Sequence, residues 1–155
     1  MPSRLQAEIK QTKPFSSLEQ EAILGLLRTA AIVEHMAEEA LRPFGLTATQ
    51  FNVLRILRGA GQEGLCGREI GERMINRVPD VPRLLDRLEK AELITRVRDR
   101  NDRRHVTARI TAKGRQLLGQ IDDAEPATPV EKRFRRLAQD QLRTFIAALD
   151  VLRDG

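Results

Sequence analysis

The chain has 155 residues, the size of one domain or at most two small ones. Charged residues make up 32% and apolar residues 41%, which excludes wholesale disorder and allows a buried core. The net charge of +5 favours a polyanionic partner, and no apolar run approaches the roughly 20 residues of a membrane span or forms a signal-peptide core, so a soluble cytoplasmic protein without a membrane partner is expected.

Residues 1–15 read as a loose arm containing Pro2 and Pro14, with Leu5 and Ile9 as anchors. Ser16 and Ser17, followed by Glu19 and Gln20, have capping-box spacing and open a long helix. Its apolar residues recur at steps of three and four from Leu18 through Ala22, Leu26, Ala30 and Val33 to Leu41, and Leu24, Ile32 and Met36 widen the stripe beyond one core-facing strip. Pro43-Phe44-Gly45 ends it. A second box, Thr47 with Gln50, opens a helix with Phe51, Leu54 and Leu57 inward, which stops at Gly59-Ala60-Gly61. A short helix follows from about Gly67 to Ile75.

Val81, Leu84, Leu85 and Leu88 mark the next helical face, ending near Ala91. Pro79 suits a first helical position, whereas Pro82 disfavours helical geometry at Val81 and places the regular start at Val81 or Pro82, with Asp80 near the cap. The period then changes. Leu93 to Arg98 and His105 to Ile110 read as two strands joined by the charged turn Asp99-Arg100-Asn101-Asp102-Arg103-Arg104, a β-hairpin with Val106, Ala108 and Ile110 on one face. Thr111 caps a further helix carrying Leu117, Leu118 and Ile121. Pro126 and Pro129 interrupt it, although Thr128, Pro129 and Glu131 also satisfy a helix start, and a last helix runs from about Gln139 to Leu152.

The order helix, short helix, short helix, two-stranded ribbon is that of a winged helix-turn-helix, in which one helix enters the major groove of DNA and the ribbon reaches the flank. The charge agrees. Arg68 to Arg115 holds 14 Lys and Arg against 8 Asp and Glu, and the rest of the chain is close to balance. Arg83, Arg87 and Lys90 lie on the candidate recognition helix, with Arg83 in its first turn. Arg100, Arg103 and Arg104 crowd the hairpin turn beside Asp99 and Asp102; an arginine on a narrow ribbon can enter the minor groove, and an acid two residues away can hold its guanidinium in shape. With five Phe, no Trp and no Tyr, recognition by base stacking is disfavoured.

Here the chain resembles the MarR family of transcriptional regulators. Asp102-Arg103-Arg104-His105-Val106, followed by Ile110-Thr111-Ala112-Lys113-Gly114, matches its wing and following helix, and Leu84 to Ile94 matches the end of its recognition helix running into the first wing strand. The helix from Thr47, with Gln50 and the Leu54-Arg55-Ile56-Leu57 run, fits as well. The resemblance implies a mainly α fold with a small β-wing, a winged helix-turn-helix with N- and C-terminal dimerisation helices. The units are an arm over 1–16, a first dimerisation helix over 17–45, a DNA-binding lobe over 46–111 and dimerisation helices over 112–155. It further implies a homodimer on a pseudo-palindromic double-stranded operator, with Arg104 as minor-groove arginine, Asp102 as its orienting partner and Arg83 as a base contact. Arg77, Asp80, Arg87, Arg100 and Arg103 complete the expected DNA-binding set. Pro79, Asp80 and Pro82 stand where such regulators often carry small hydroxyl residues; Asp80 is repelled by phosphate but can accept from a cytosine amino group.

The plainer reading of the wing arginines is an exposed turn with Asp pairs worth less than about 1 kcal/mol, and of Arg83 and Arg87 a solvated helix face. The strand alternation and Asp102 favour DNA contact. Cys66 reads as a half-buried small residue in preference to a redox switch, and a single cysteine fits a reducing compartment. His35 and His105 stand apart from any metal-ligand grouping, so no metal or other cofactor is expected. Relatives bind small phenolic effectors between dimer and DNA lobes, where His35, Met36, Phe44 and Phe51 are candidates, although packing explains the apolar three equally well. No nucleophile elbow, phosphate-binding loop or HExxH pattern points to an enzyme. The expected function is a dimeric repressor relieved by a small aromatic or phenolic effector; the competing one is a winged-helix protein-interaction module without sequence-specific DNA binding.

Overall fold

The computed structural model describes residues 1–124 and 128–155. The elements in chain order are α1 (Arg4–Glu8), α2 (Leu18–Leu41), α3 (Ala48–Ala60), β1 (Leu65–Cys66), α4 (Gly67–Arg73), α5 (Val81–Lys90), β2 (Ile94–Arg98), β3 (Val106–Ile110), α6 (Ala112–Ala124), α7 (Pro129–Phe134) and α8 (Gln139–Arg153), with 3-10 turns at Arg42–Phe44 and Gly61–Glu63. Among the described residues no helix is long and apolar enough to cross a membrane.

The helix starts follow side-chain chemistry. Ser17 accepts the Gln20 N–H at 3.1 Å while Gln20 accepts the Ser16 N–H at 2.7 Å, and Thr47 and Gln50 form the reciprocal box that opens α3. Glu38, on α2, accepts the Ala48 N–H at 3.0 Å and so fixes the corner between the long helix and α3. The opening segment differs from a loose arm: Ser3 caps α1, Leu5 packs beside Gly25 of α2, and Glu8 pairs with Arg28 at 3.6 Å. Thr128 and Glu131 open α7 with Pro129 at its start, as their spacing predicts; Pro126 lies outside the described residues.

The sheet has three strands, in the order β1-β3-β2, where the sequence indicated two. The hairpin pairs Ile94 with Ile110 and Arg98 with Val106, while Leu65 pairs with Ala108 and Cys66 with Thr107. This third strand depends on Gly64. At φ +69° a Cβ there would lie 2.4 Å from the Ala108 carbonyl oxygen, so only glycine lets the chain approach β3.

One core holds the lobe together. Val53, Leu54 and Leu57 of α3, Ile70 of α4, Leu85 and Leu88 of α5, Ile94, Ala108 and Ile110 of the sheet and Leu118 of α6 are buried in a single cluster with Leu41, Leu46, Leu65 and Leu93. The ends of the chain are different. α1, α7 and α8 contribute no buried residue and α2 contributes only Leu41, although Leu27 is 61% exposed, Ile146 56% and Leu152 69%.

Candidate nucleic-acid interface

Asp80 caps α5, accepting the Arg83 N–H at 3.0 Å, and Pro82 occupies the first turn, where its missing N–H costs nothing. Pro79 therefore lies just outside the helix and lines an apolar cleft with Gly67, Gly71, Val81 and Leu85. The connector ahead of α5 is pinned to α3 by Asn52, which accepts the Ile75 N–H at 2.9 Å, and carries the exposed Arg77. At about 100° per residue, Arg83, Arg87 and Lys90 share an arc of about 60° on the side away from Leu85 and Leu88. All three are exposed.

α5 ends in a reverse turn in which Glu92 donates its N–H to Glu89 at 2.9 Å and Leu93 donates to Leu88 at 3.0 Å. Glu92 adopts φ +62°, a left-handed conformation that glycine usually supplies. The chain enters β2 directly, and Thr111 closes the lobe from the other side, donating its hydroxyl to the Glu92 carbonyl at 2.7 Å and its N–H to Leu93 at 3.0 Å.

β2 and β3 carry the turn roughly 13 Å beyond Ile94. At the tip, Asp99 accepts the Asn101 N–H at 2.9 Å and Asp102 accepts the Arg104 N–H at 3.0 Å, and the His105 N–H donates to the Asp102 carbonyl, also at 3.0 Å. Both acids thus act on backbone two residues ahead, the Asx-turn pattern. In this turn the Asp102 carboxylate therefore meets the Arg104 amide, the contact that shapes the backbone from which the Arg104 side chain leaves. Arg100, Arg103 and Arg104 are fully presented at the tip, and among the described residues none of them, nor Arg77, Arg83 or Arg87, is held in an ion pair.

One contributor is absent from the sequence-derived set. Arg96, on β2, donates its backbone N–H to Glu89 Oε2 at 3.0 Å and Nη2 to Glu89 Oε1 at 3.1 Å, and also pairs with Asp86. The Glu89 carboxylate, with Asp86 behind it, holds the guanidinium above its ordinary range. A usable signal existed: strand alternation puts Arg96 on the inner face with Ile94, where a charge requires a partner.

Cys66 stands at the N-terminus of α4, where its thiol and N–H face Glu69 and hold that carboxyl below its usual range. Reactive thiols sit in electropositive surroundings, and this one sits beside a carboxylate. Of the four candidates near an effector, His35 and Met36 line an open groove with Leu24, Ile32, Arg28 and Arg133. Phe51 instead carries the Arg55 guanidinium 5.6 Å from its ring centre, and Phe44 is half-buried in the turn after α2.

A helix-turn-helix whose third helix bears an outward basic arc, followed by a wing tipped with arginines, defines a winged-helix DNA-binding regulator. The comparisons agree. The MarR family model matches residues 46–106. A MarR transcription factor from Planctomyces limnophilus is 36% identical in its crystal structure, with a TM-score of 0.67 over 88% of this chain and 98% of that one. A mutant MarR from E. coli complexed with operator DNA is 25% identical, with a TM-score of 0.72 over 89% and 99%. An HTH-type transcriptional regulator of Bacillus subtilis, YkoM, is 29% identical over 87% of this chain and 88% of its own length. The chain belongs to the MarR family; it is a transcriptional regulator that binds DNA and is not an enzyme.

Proposed function

We propose that the chain acts as a cytoplasmic homodimeric repressor, each subunit placing α5 in the major groove and the Asp99–Arg104 turn in the adjacent minor groove of a pseudo-palindromic operator. In this reading Arg83 contacts base edges, Arg87 and Arg77 contact phosphate, and Arg104 enters the minor groove flanked by Arg100 and Arg103. Asp80 and Asp102 serve chiefly as backbone caps that shape the two reading elements. The observation that carries the proposal is the outward arc of Arg83, Arg87 and Lys90 in the same lobe as a wing whose tip arginines, among the described residues, form no ion pair.

Dimerisation is supported by α2 and α8, whose apolar faces carry exposed Leu27, Ile146 and Leu152 and find no core among the described residues. Residues 17–45 and 112–155 are accordingly the dimerisation units around a DNA-binding lobe over 46–111, with 1–16 an arm folded onto the first helix. The groove beside His35 and Met36 joins apolar walls to cationic Arg28 and Arg133, a chemistry suited to a small aromatic or phenolic effector. Such an effector relieves repression only by binding more tightly to the state whose recognition helices are wrongly spaced.

Selection of bound duplexes from a random pool, followed by a salt titration on the winner, tests the reading. Two inverted half-sites about one helical turn apart and a log–log slope near −0.9 per phosphate contact are expected. Lack of duplex binding at low salt would transfer the basic face to a protein partner.

A further inference from the structure

We propose that Arg96 is a positioning residue for DNA recognition, locking α5 to the wing so that helix and ribbon meet the duplex as one rigid reader. The inference rests on the DNA-binding reading of that face. Arg83, Arg87 and Lys90 point outward from α5, whereas Asp86 and Glu89 fall on its flank toward β2. Unpartnered, those two carboxylates would lie beside the basic arc and repel the same phosphates it attracts. Arg96 meets both. Its guanidinium reaches Glu89 at 3.1 Å and Asp86, and its backbone N–H takes the second Glu89 oxygen at 3.0 Å.

The attachment therefore has two unlike points. One fixes the side chain, and the other fixes the strand itself at the residue from which the wing begins its run to the tip. With its side chain 22% exposed, Arg96 is spent on this contact and faces the helix. Rotation of α5 about its own axis would break the Asp86 and Glu89 contacts together, since the two acids are three residues apart and share the flank. A planar fork with several fixed donors can bridge two carboxylates; an ammonium cannot reproduce that geometry.

The experiment measures affinity for the selected duplex, affinity for a random duplex and the salt slope, in the full chain and in Arg96→Gln and Arg96→Lys. Operator affinity is expected to fall about tenfold in Arg96→Gln and by a smaller factor in Arg96→Lys. The ratio of operator to random binding should shrink and the salt slope stay at the parental value, because no phosphate contact is removed. A slope lower by about 0.9 per subunit would make Arg96 a phosphate ligand and overturn the assignment. Parental affinity in Arg96→Lys would also overturn it, since charge without the fork would then suffice. Should Arg96→Gln fail to fold, Arg96→Lys decides alone. Failure of the parental chain to bind any duplex is a distinct result that rejects the DNA reading itself.

Discussion

In the proposed DNA-binding reading, Arg83 and Arg104 do different work by virtue of where the backbone puts them. Arg83 sits in the first turn of α5, its N–H already taken by Asp80, so its side chain extends from a fixed point at the helix entrance. Arg104 sits at the base of an Asx turn whose carboxylate grips its amide. Replacing Arg104 with alanine is expected to weaken binding to all duplexes and to reduce the salt slope by about 0.9 per subunit. Arg83→Ala should instead change which base is preferred at one position of each half-site, with a loss of about 1–3 kcal/mol of discrimination. Competition titrations with single-base operator variants separate the two; equal effects of both substitutions on every duplex would reject the division of labour. The roles of the acids were the less legible part of the site. Asp80 was readable as a cap from its place before an apolar period, but Asp102 next to two arginines suggests ion pairing, and its bond to the Arg104 amide is visible only in the turn geometry.

At the scale of elements, strain and capping set the testable energetics. Glu92 holds a left-handed conformation at the end of α5, compensated partly by Lys113, whose ammonium lies 3.6 Å from the Glu92 carboxylate on an exposed surface. Glu92→Gly removes the steric conflict, and an increase in stability of about 0.5–1 kcal/mol is expected in chemical denaturation, net of the added freedom of the unfolded chain. A decrease would mean that the Lys113 contact outweighs the strain. The box opening α7 makes a prediction in pH. Glu131 accepts the Thr128 N–H at 2.7 Å, and this bond, aided by the Thr128 hydroxyl, keeps its carboxyl below the usual range. A lowered carboxyl contributes stability in full above the ordinary glutamate pKa and loses it as pH falls through the depressed value. The NMR titration of the Glu131 carboxyl carbon should therefore have a midpoint below that of a free glutamate, and Thr128→Ala should raise it.

The elements that sequence periodicity located share one property: each is long enough to show its period. α2, α3, α5 and α8 carry several turns of spaced apolar residues, and the hairpin shows five-residue alternation on each side. α1 and β1 are too short for any period. α1 is opened by a single local cap, Ser3 accepting the Gln6 amide, whereas β1 depends on Gly64 admitting the chain to β3, which is a tertiary fact. Arg96 was missed for a related reason, since its partners lie on another element.

For the whole molecule, the decisive contrast is between a lobe with a closed core and flanking helices without one. Leu27→Glu or Ile146→Glu places a charge on a face that the lobe does not use, so the far-UV spectrum should be retained while sedimentation reports single subunits. Operator affinity should then fall by about 100-fold or more, because the second half-site no longer binds as part of the same particle. Unchanged sedimentation in both variants would reject the proposed dimer surface.

The strand formed by Leu65 and Cys66 ties the ribbon to the residue immediately before α4, and Arg96 ties it to α5. Reader and scaffold are thus stitched at both margins. Anyone wishing to retarget this regulator by transplanting a foreign recognition helix would inherit a mismatched wing; the exchangeable cassette runs from Gly64 to Ile110, and it must travel whole.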